Sequence, residues 1–424
     1  MHYEISTLKN GTRVVAAPMN ERNSVAVGIW VHVGGRYETE KLGGVSHFLE
    51  QIVFKGTKTR TSNQIKEAIE GVGGTMNAFT SEEYTCFLAK VARKHFESVF
   101  DVLTDMVLAA SISGPDVEKE RTVIMEEIKM TQDQPSQLAD ELLSEIVWPG
   151  HALGRPLAGT LETVGALSPG DIIGYRDKYY KPNFITVAAA GNIDQKTLLR
   201  AAESRFTGER GMDDKKLDLF QVKQQKPTLR FFAKDTEQTH LSLGLHAFRK
   251  DHPEEYVLDI LSVILGGNMS SRLFNEVREE RGLAYDVGSY VRHYRETGAF
   301  VVSAGVDNKK LKEAIEIILK ELDKVTRESV PEDELRRAKD FYLGQMDLGL
   351  ENSMNQMLWV GENIMTLGRC RTPEEVKERV EQVTPDDLRR VARELFRTNS
   401  LNLAMVGPGR SEKDLDALLR FSNG

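Results

Sequence analysis

Cysteine is scarce. Cys86 and Cys370 are the only two in 424 residues, and two thiols cannot build a disulfide framework, so a reducing compartment is the simplest reading. Long apolar runs are missing as well. No stretch approaches the roughly 18–20 uncharged apolar residues that cross a bilayer, so no membrane partner is expected. The opening MHYEISTLKNG has neither a basic n-region nor an apolar h-region, which argues against a secretory signal and for a cytoplasmic protein. Nor is positive charge in excess. The 56 basic residues stand against 64 acidic ones, a formal net charge of −8, so a polyanion-binding surface is not the default and no nucleic-acid partner is expected.

What is present is ample material for a core. The chain is 40% hydrophobic and 28% charged, enough for more than one domain. YEISTL and TRVVAAP flank Lys9-Asn10-Gly11 and read as a hairpin, because Asn-Gly is a strong two-residue turn signal. NSVAVGIWVHVG reads as a long strand, and TMNAFTSEEYTCFLAKV as two more. KHFESVFDVLTDMVLAA and DVEKERTVIMEEIKM have helical periodicity.

Compared with itself, the chain shows a repeat. Ser168-Pro169 pairs with Thr384-Pro385 and Asn183 with Asn399, both at a separation of 216 positions. Each copy reads as an N-capped helix with proline in its first turn, followed by a buried strand ending in glycine. The expectation is an α+β fold of two homologous α/β-sandwich domains, each an antiparallel-rich sheet with helices on one face, related by internal duplication. The expected division is residues 1–207, a charged linker over 208–227, and 228–424.

The stretch GGVSHFLEQIVFKGT, residues 43–57, combines an apolar helix stripe at Val45, Phe48, Leu49, Ile52 and Val53 with a polar side holding His47, Glu50 and Gln51. Residues three and four apart are neighbours on a helix. A histidine and a second ligand four residues on can share one metal ion, and a carboxylate at the third position then lies beside it. H-x-x-E-H has that spacing. The pattern here is H-x-x-E-Q, and by itself it suits the polar side of a half-exposed helix better than a metal site. A second helix, EKERTVIMEEIKM, carries Glu120 and Glu127 two turns apart on one stripe, where a carboxylate could complete the set.

Taken together these segments resemble the M16, or pitrilysin-type, zinc peptidases, and more closely the branch of mitochondrial processing peptidase and its bacterial relatives. HFLEQIVFKGT is similar to that branch's H-F-L-E-H…F-K-G-T, and ERTVIMEE to its E-R-x-V-I-x-x-E, with Glu127 standing 76 residues after Gln51. GGTMNAFTSEEYTCF and SSRLFNEVREERGLAY match two further segments, so the resemblance spans the whole chain.

The resemblance implies zinc as cofactor, with His47 and Glu127 as ligands, Gln51 at the third-ligand position, Glu50 as general base and Glu120 tuning the ligands from behind. It implies that an extended peptide substrate adds as a β-strand to the edge at Gly73–Thr80, near Asn77 and Ala78. Arg278 and Tyr285, seven apart in REERGLAY, would act on the scissile carbonyl. Arg272 reads as structural. A homodimer is the implied assembly.

Gln51 departs from the family pattern, because a neutral carboxamide is a poor zinc ligand beside an imidazole. The expectation is a zinc endopeptidase cleaving peptides or presequences, impaired in this chain. The alternative is a non-catalytic peptide-binding or assembly subunit.

Overall fold

The computed structural model describes residues 3–212, 217–409, 415 and 418–421. His2 and residues 213–216 of the expected linker lie outside the described residues. The strands are β1 (Glu4–Thr7), β2 (Arg13–Pro18), β3 (Ser24–Val31), β4 (Thr75–Thr80), β5 (Thr85–Ala92) and β6 (Ile185–Gly191), then β7 (Thr228–Ala233), β8 (Gln238–Ala247), β9 (Ala284–His293), β10 (Gly298–Asp307) and β11 (Asn402–Gly407). The helices are α1 (Val45–Ile52), α2 (Ser62–Glu70), α3 (Phe96–Ala109), α4 (Gly114–Asp133), α5 (Pro135–Val147), α6 (Leu161–Ala166), α7 (Pro169–Tyr179), α8 (Gln195–Arg205), α9 (Glu255–Gly266), α10 (Leu311–Arg327), α11 (Glu332–Leu350), α12 (Ser353–Leu367), α13 (Pro373–Glu381) and α14 (Pro385–Leu395).

These elements form two compact units. The first comprises Met1–Ile128, Arg155–Leu217 and Asp347–Pro373. Its sheet runs β1-β2-β6-β3-β5-β4, with β2 parallel to β6 and the other pairs antiparallel. Successive strand residues point to opposite faces. Val14, Ala16, Val27, Ile29 and Phe87 therefore join Phe48 and Leu49 of α1 and Phe100 and Leu103 of α3 in one core. Val15, Ala17, Ala26, Trp30 and Cys86 face the other way and are covered by Met357, Val360 and Ile364 of α12.

The second unit comprises Lys129–Gly154, Asp218–Met346 and Glu374–Gly424. Its sheet runs β7-β11-β8-β10-β9, the order of β2-β6-β3-β5-β4 in the first, again with one parallel pair, β7 and β11. Leu138, Ala139, Leu142 and Leu143 of α5 cover Ala299, Val301, Ala404 and Val406 of this sheet. The N-capped helices foreseen from the repeat are α7 and α14. Ser168 and Thr384 each form a capping box ahead of a proline, and β6 and β11 follow them.

The two sandwiches and their duplication are as the sequence implies. Two features depart from it. The division at 208–227 is crossed twice, since α5 lies in the first half of the chain but packs in the second unit, while α12 does the reverse. Each sheet therefore carries a helix on the face expected to be free of one. Gly28 in β3 and Gly244 in β8 make room for these helices. A Cβ on Gly28 would stand 2.6 Å from Met357 Sδ, and one on Gly244 would stand 3.0 Å from the Leu143 methyls. The N-terminal hairpin also differs in its turn. The loop runs over residues 8–12 and is closed by Leu8 N–H to Thr12 O at 2.8 Å, with Asn10 Oδ1 accepting from Thr12 N–H and Gly11 at φ +97°. Asn-Gly forms the turn, but inside a longer loop than a two-residue hairpin.

Candidate active site

The helix with the histidine forms as its pattern dictates. Val45, Phe48, Leu49 and Ile52 of α1 are buried, and the chain leaves it through a 3-10 turn, Val53–Lys55, ending at Gly56 with φ +140°. The opposite side presents His47, Glu50 and Gln51. α4 brings Glu127 to them. The Gln51 Nε2 group lies 3.1 Å from His47 Nε2 and donates to Glu127 Oε2 at 2.7 Å. His47 Nε2 and Glu127 Oε2 stand 3.8 Å apart. The two helices thus converge on one point.

The chemistry at that point is not that of a zinc site. If the Gln51 amide were turned over, its oxygen would oppose the Glu127 carboxylate, acceptor against acceptor, so the nitrogen must face it. The NH₂ group then donates to the carboxylate and to the imidazole, occupying the one Nε2 lone pair through which His47 would bind zinc. His47 is thereby left protonated at Nδ1, a buried nitrogen with no hydrogen-bond partner, which carries the desolvation cost of an unmet donor, about 1–3 kcal/mol. Among the described residues no group of three or more His, Cys, Asp or Glu side chains is gathered to hold a metal ion. The residues present therefore do not fit a three-ligand zinc site.

Glu50 points to the end of β4, where Thr80 Oγ1 donates to its Oε2 at 3.0 Å. Burial pushes its carboxyl above the usual range. Thr80 pulls against that shift and Glu127 adds to it. Glu120 is buried, and Lys55 Nζ stands 2.5 Å from its Oε2. This is a contact of charge rather than an aligned bond, since that oxygen accepts no hydrogen bond. No hydrogen bond joins Glu120 to His47 among the described residues.

β4 is the outer strand of its sheet. Gly73, at φ +75°, opens the turn before it. Asn77 and Ala78 lie at its centre, paired with Leu88 and Phe87. The Ala78 N–H donates to Asn77 Oδ1 at 2.9 Å, so this edge donor is closed by the neighbouring side chain. In the second unit, Arg278 lies in a π-helical turn, Phe274–Glu279, with its guanidinium 5.1 Å from the centre of the Tyr285 ring. Tyr285, at the start of β9, is 75% exposed. Arg272 forms a two-pronged ion pair with Glu334 at 2.8 and 2.7 Å. A cavity of ≈ 750 Å³ in this unit, between His151, Phe220 and His246, holds none of the predicted residues.

The structure thus gathers His47, Glu50, Gln51 and Glu127, and separately Arg278 with Tyr285. Two partners escaped the sequence reading, Thr80 on Glu50 and Lys55 on Glu120. Both lie in segments that carried the resemblance, NAFT and FKGT, but nothing in their spacing reveals a contact.

Two family models match the chain: insulinase (peptidase family M16) over residues 13–161 and the peptidase M16 inactive domain over residues 166–342. An uncharacterized zinc protease of Streptomyces coelicolor is 37% identical over 409 residues, covering 95% of this chain and 89% of its own length. One from Bacillus subtilis is 36% identical over 403 residues, covering 95% and 97%. The crystal structure of a protease from Helicobacter pylori superimposes with a TM-score of 0.90 over 96% of this chain and 100% of its own, at 22% identity, a likeness of fold. The chain belongs to the M16 peptidase family, whose members are named as zinc proteases.

Proposed function

We propose that this chain is an M16-type endopeptidase, of the branch resembling mitochondrial processing peptidase, that takes extended peptides on the β4 edge and has its hydrolytic centre disabled by Gln51. The observation that carries the reading is the Gln51 amide donating to both Glu127 and His47. A metal ion would need the His47 Nε2 lone pair this amide already engages, and the amide nitrogen has no lone pair to offer in exchange. Losing a direct ligand exceeds the roughly 10–100-fold cost of losing an outer partner.

The other residues named by the resemblance support the reading. Glu50 stays desolvated beside Thr80, β4 is an outer strand of its sheet, and the family resemblance gives Arg278 and Tyr285 a role on the scissile carbonyl. Main-chain hydrogen bonds along an edge ask for an unstructured segment rather than a particular sequence. The same reading takes a C2 homodimer from the family likeness and a cytoplasmic location from the composition of the chain.

The test is metal content with peptide hydrolysis. The purified chain is expected to hold well under one zinc per protomer and to leave a basic, unstructured peptide intact while still binding it. Gln51→His is expected to take up one zinc and cleave the peptide. Stoichiometric tight zinc in the unsubstituted chain would overturn the proposal. A Gln51→His variant that binds zinc but neither binds nor cuts peptide would favour an assembly subunit.

A further inference from the structure

Glu38 follows the 3-10 turn Gly35–Tyr37 and is only 7% exposed. Its Oε2 accepts the backbone N–H of Gly44 and its Oε1 that of Ser46, each at 2.8 Å. Both donors lie at the start of α1, where a helix leaves its first N–H groups without internal partners. The N-cap is Gly44, which has no side chain to accept them. Serine or aspartate at that position would ordinarily do so. Here a carboxylate six positions upstream takes both, and it is the favourable charge for a helix N-terminus.

Two other contacts hold the same end. Ser46 Oγ lies 3.0 Å from the Tyr175 hydroxyl. Gly44, at φ +91°, passes so close to the chain at Ala158 that a Cβ would stand 2.5 Å from the Ala158 carbonyl oxygen. These set where the helix begins. Only the carboxylate takes two N–H groups of this end at once, one on each oxygen, and such a two-point grip resists rotation about the axis. Rotation is what the site cannot tolerate. At a side-chain radius of about 5–6 Å, a turn of about 10° moves a tip by roughly 1 Å, enough to break hydrogen bonds of 2.7 and 3.1 Å.

We propose that Glu38 is the positioning residue of this site: by clamping the Gly44 and Ser46 N–H groups it sets the rotation of α1, and so brings His47 and Gln51 onto Glu127 and Glu50 onto Thr80. The fold retains the group at a cost. Burial drives its carboxyl up to about 7, against the pull of the Ser46 and Gly44 N–H groups, the Ser46 hydroxyl and the Arg155 charge. An acid that burial makes unfavourable, kept beside a candidate site, is the pattern expected where geometry matters more than stability. The inference does not depend on whether the chain hydrolyses peptide, because its readout is the geometry of the His47–Gln51–Glu127 triad.

The experiment uses the full chain labelled at histidine. In the unsubstituted protein the His47 imidazole is expected to give the ¹⁵N pattern of protonated Nδ1 and hydrogen-bonded Nε2. In Glu38→Ala that pattern should collapse to the averaged one of an unheld ring, while the His293 signal stays in place. Glu38→Gln keeps one carbonyl acceptor and should shift part of the way. It also carries the test if the alanine variant does not fold. Tyr175→Phe removes a contact at the same helix end but neither N–H acceptor, and should lower the melting temperature without moving His47. A Glu38 variant that loses stability but keeps the His47 pattern would overturn the proposal, as would an equal displacement in Tyr175→Phe.

Discussion

The two units share the order of five strands, but the helix that follows β3 differs in character from the one that follows β8. After β3 the first unit has α1, with one buried side and one polar side. After β8 the second has α9, where Tyr256, Val257, Leu258, Ile260, Leu261, Ile264 and Leu265 are buried. A helix apolar on nearly every side has no face to give to chemistry. Duplication kept the sheet that both units need, while the site depended on leaving one short helix half dressed. The imidazoles make the same contrast. His47 accepts a bond from a neutral amide. His293 lies between the Asp259 carboxylate at 3.0 Å and the Phe248 carbonyl at 2.9 Å, so both ring nitrogens donate and the ring is an imidazolium in a purely structural ion pair.

The equivalence of the two helix-bearing faces can be broken by substitution at matching positions. Gly28→Ala pushes a methyl into Met357 Sδ at 2.6 Å and Trp30 Nε1 at 2.9 Å, whereas Gly244→Ala meets only Leu143 side-chain atoms, at 3.0 Å and beyond. Overpacking typically costs about 1–3 kcal/mol. Gly28→Ala should fall in the upper part of that range by denaturant melting, and Gly244→Ala at roughly 1 kcal/mol or less, because leucine methyls move more easily than an indole. Equal costs would mean that the two exchanged helices are held alike.

At the β4 edge the Asn77 side chain covers a backbone donor, and Ala78→Pro tests that edge. It removes an N–H that already bonds a side chain rather than β5. Proline is tolerated at such edge positions, so stability should change by less than about 1 kcal/mol. Affinity for an unstructured peptide, measured by titration, should fall about tenfold, because this N–H could no longer turn from Asn77 Oδ1 to a peptide carbonyl. Unchanged affinity would remove β4 from the peptide-binding reading.

The smallest effect concerns the imidazolium. At His293 burial pulls the pKa down, but the Asp259 carboxylate and the Phe248 carbonyl outweigh it and the net shift is upward. A group with a raised folded-state pKa binds its proton more tightly when folded. Its contribution is therefore whole below the ordinary imidazole range and fades as pH rises through the raised value. The stability gap between the unsubstituted chain and His293→Gln should be widest near pH 6 and narrow towards pH 9. A gap that widens with pH would contradict the ion pair.

Much of this was legible in the sequence. The 216-residue repeat reports two equivalent sheets because capping boxes and buried strands are local patterns, written in residues a few positions apart. The H-x-x-E-Q spacing puts three side chains on one side of α1 for the same reason. Other features had no local signature. α5 and α12 are ordinary amphipathic helices, and nothing in their own residues says which sheet will accept them. The partner glycines, Gly28 and Gly244, lie far away in sequence.

The chain's residues alone therefore determined its helices and strands, the duplication, the family, and the absence of a second histidine where the family has one, since each depends on short-range periodicity or on identity at a position. Tertiary structure alone decided that α5 and α12 change sides, that Gln51 turns its NH₂ towards Glu127 and His47, and that Glu38 holds the start of α1. Those outcomes depend on which distant groups come within hydrogen-bond or van der Waals reach, and that distance is set by packing the whole unit rather than by any segment of it.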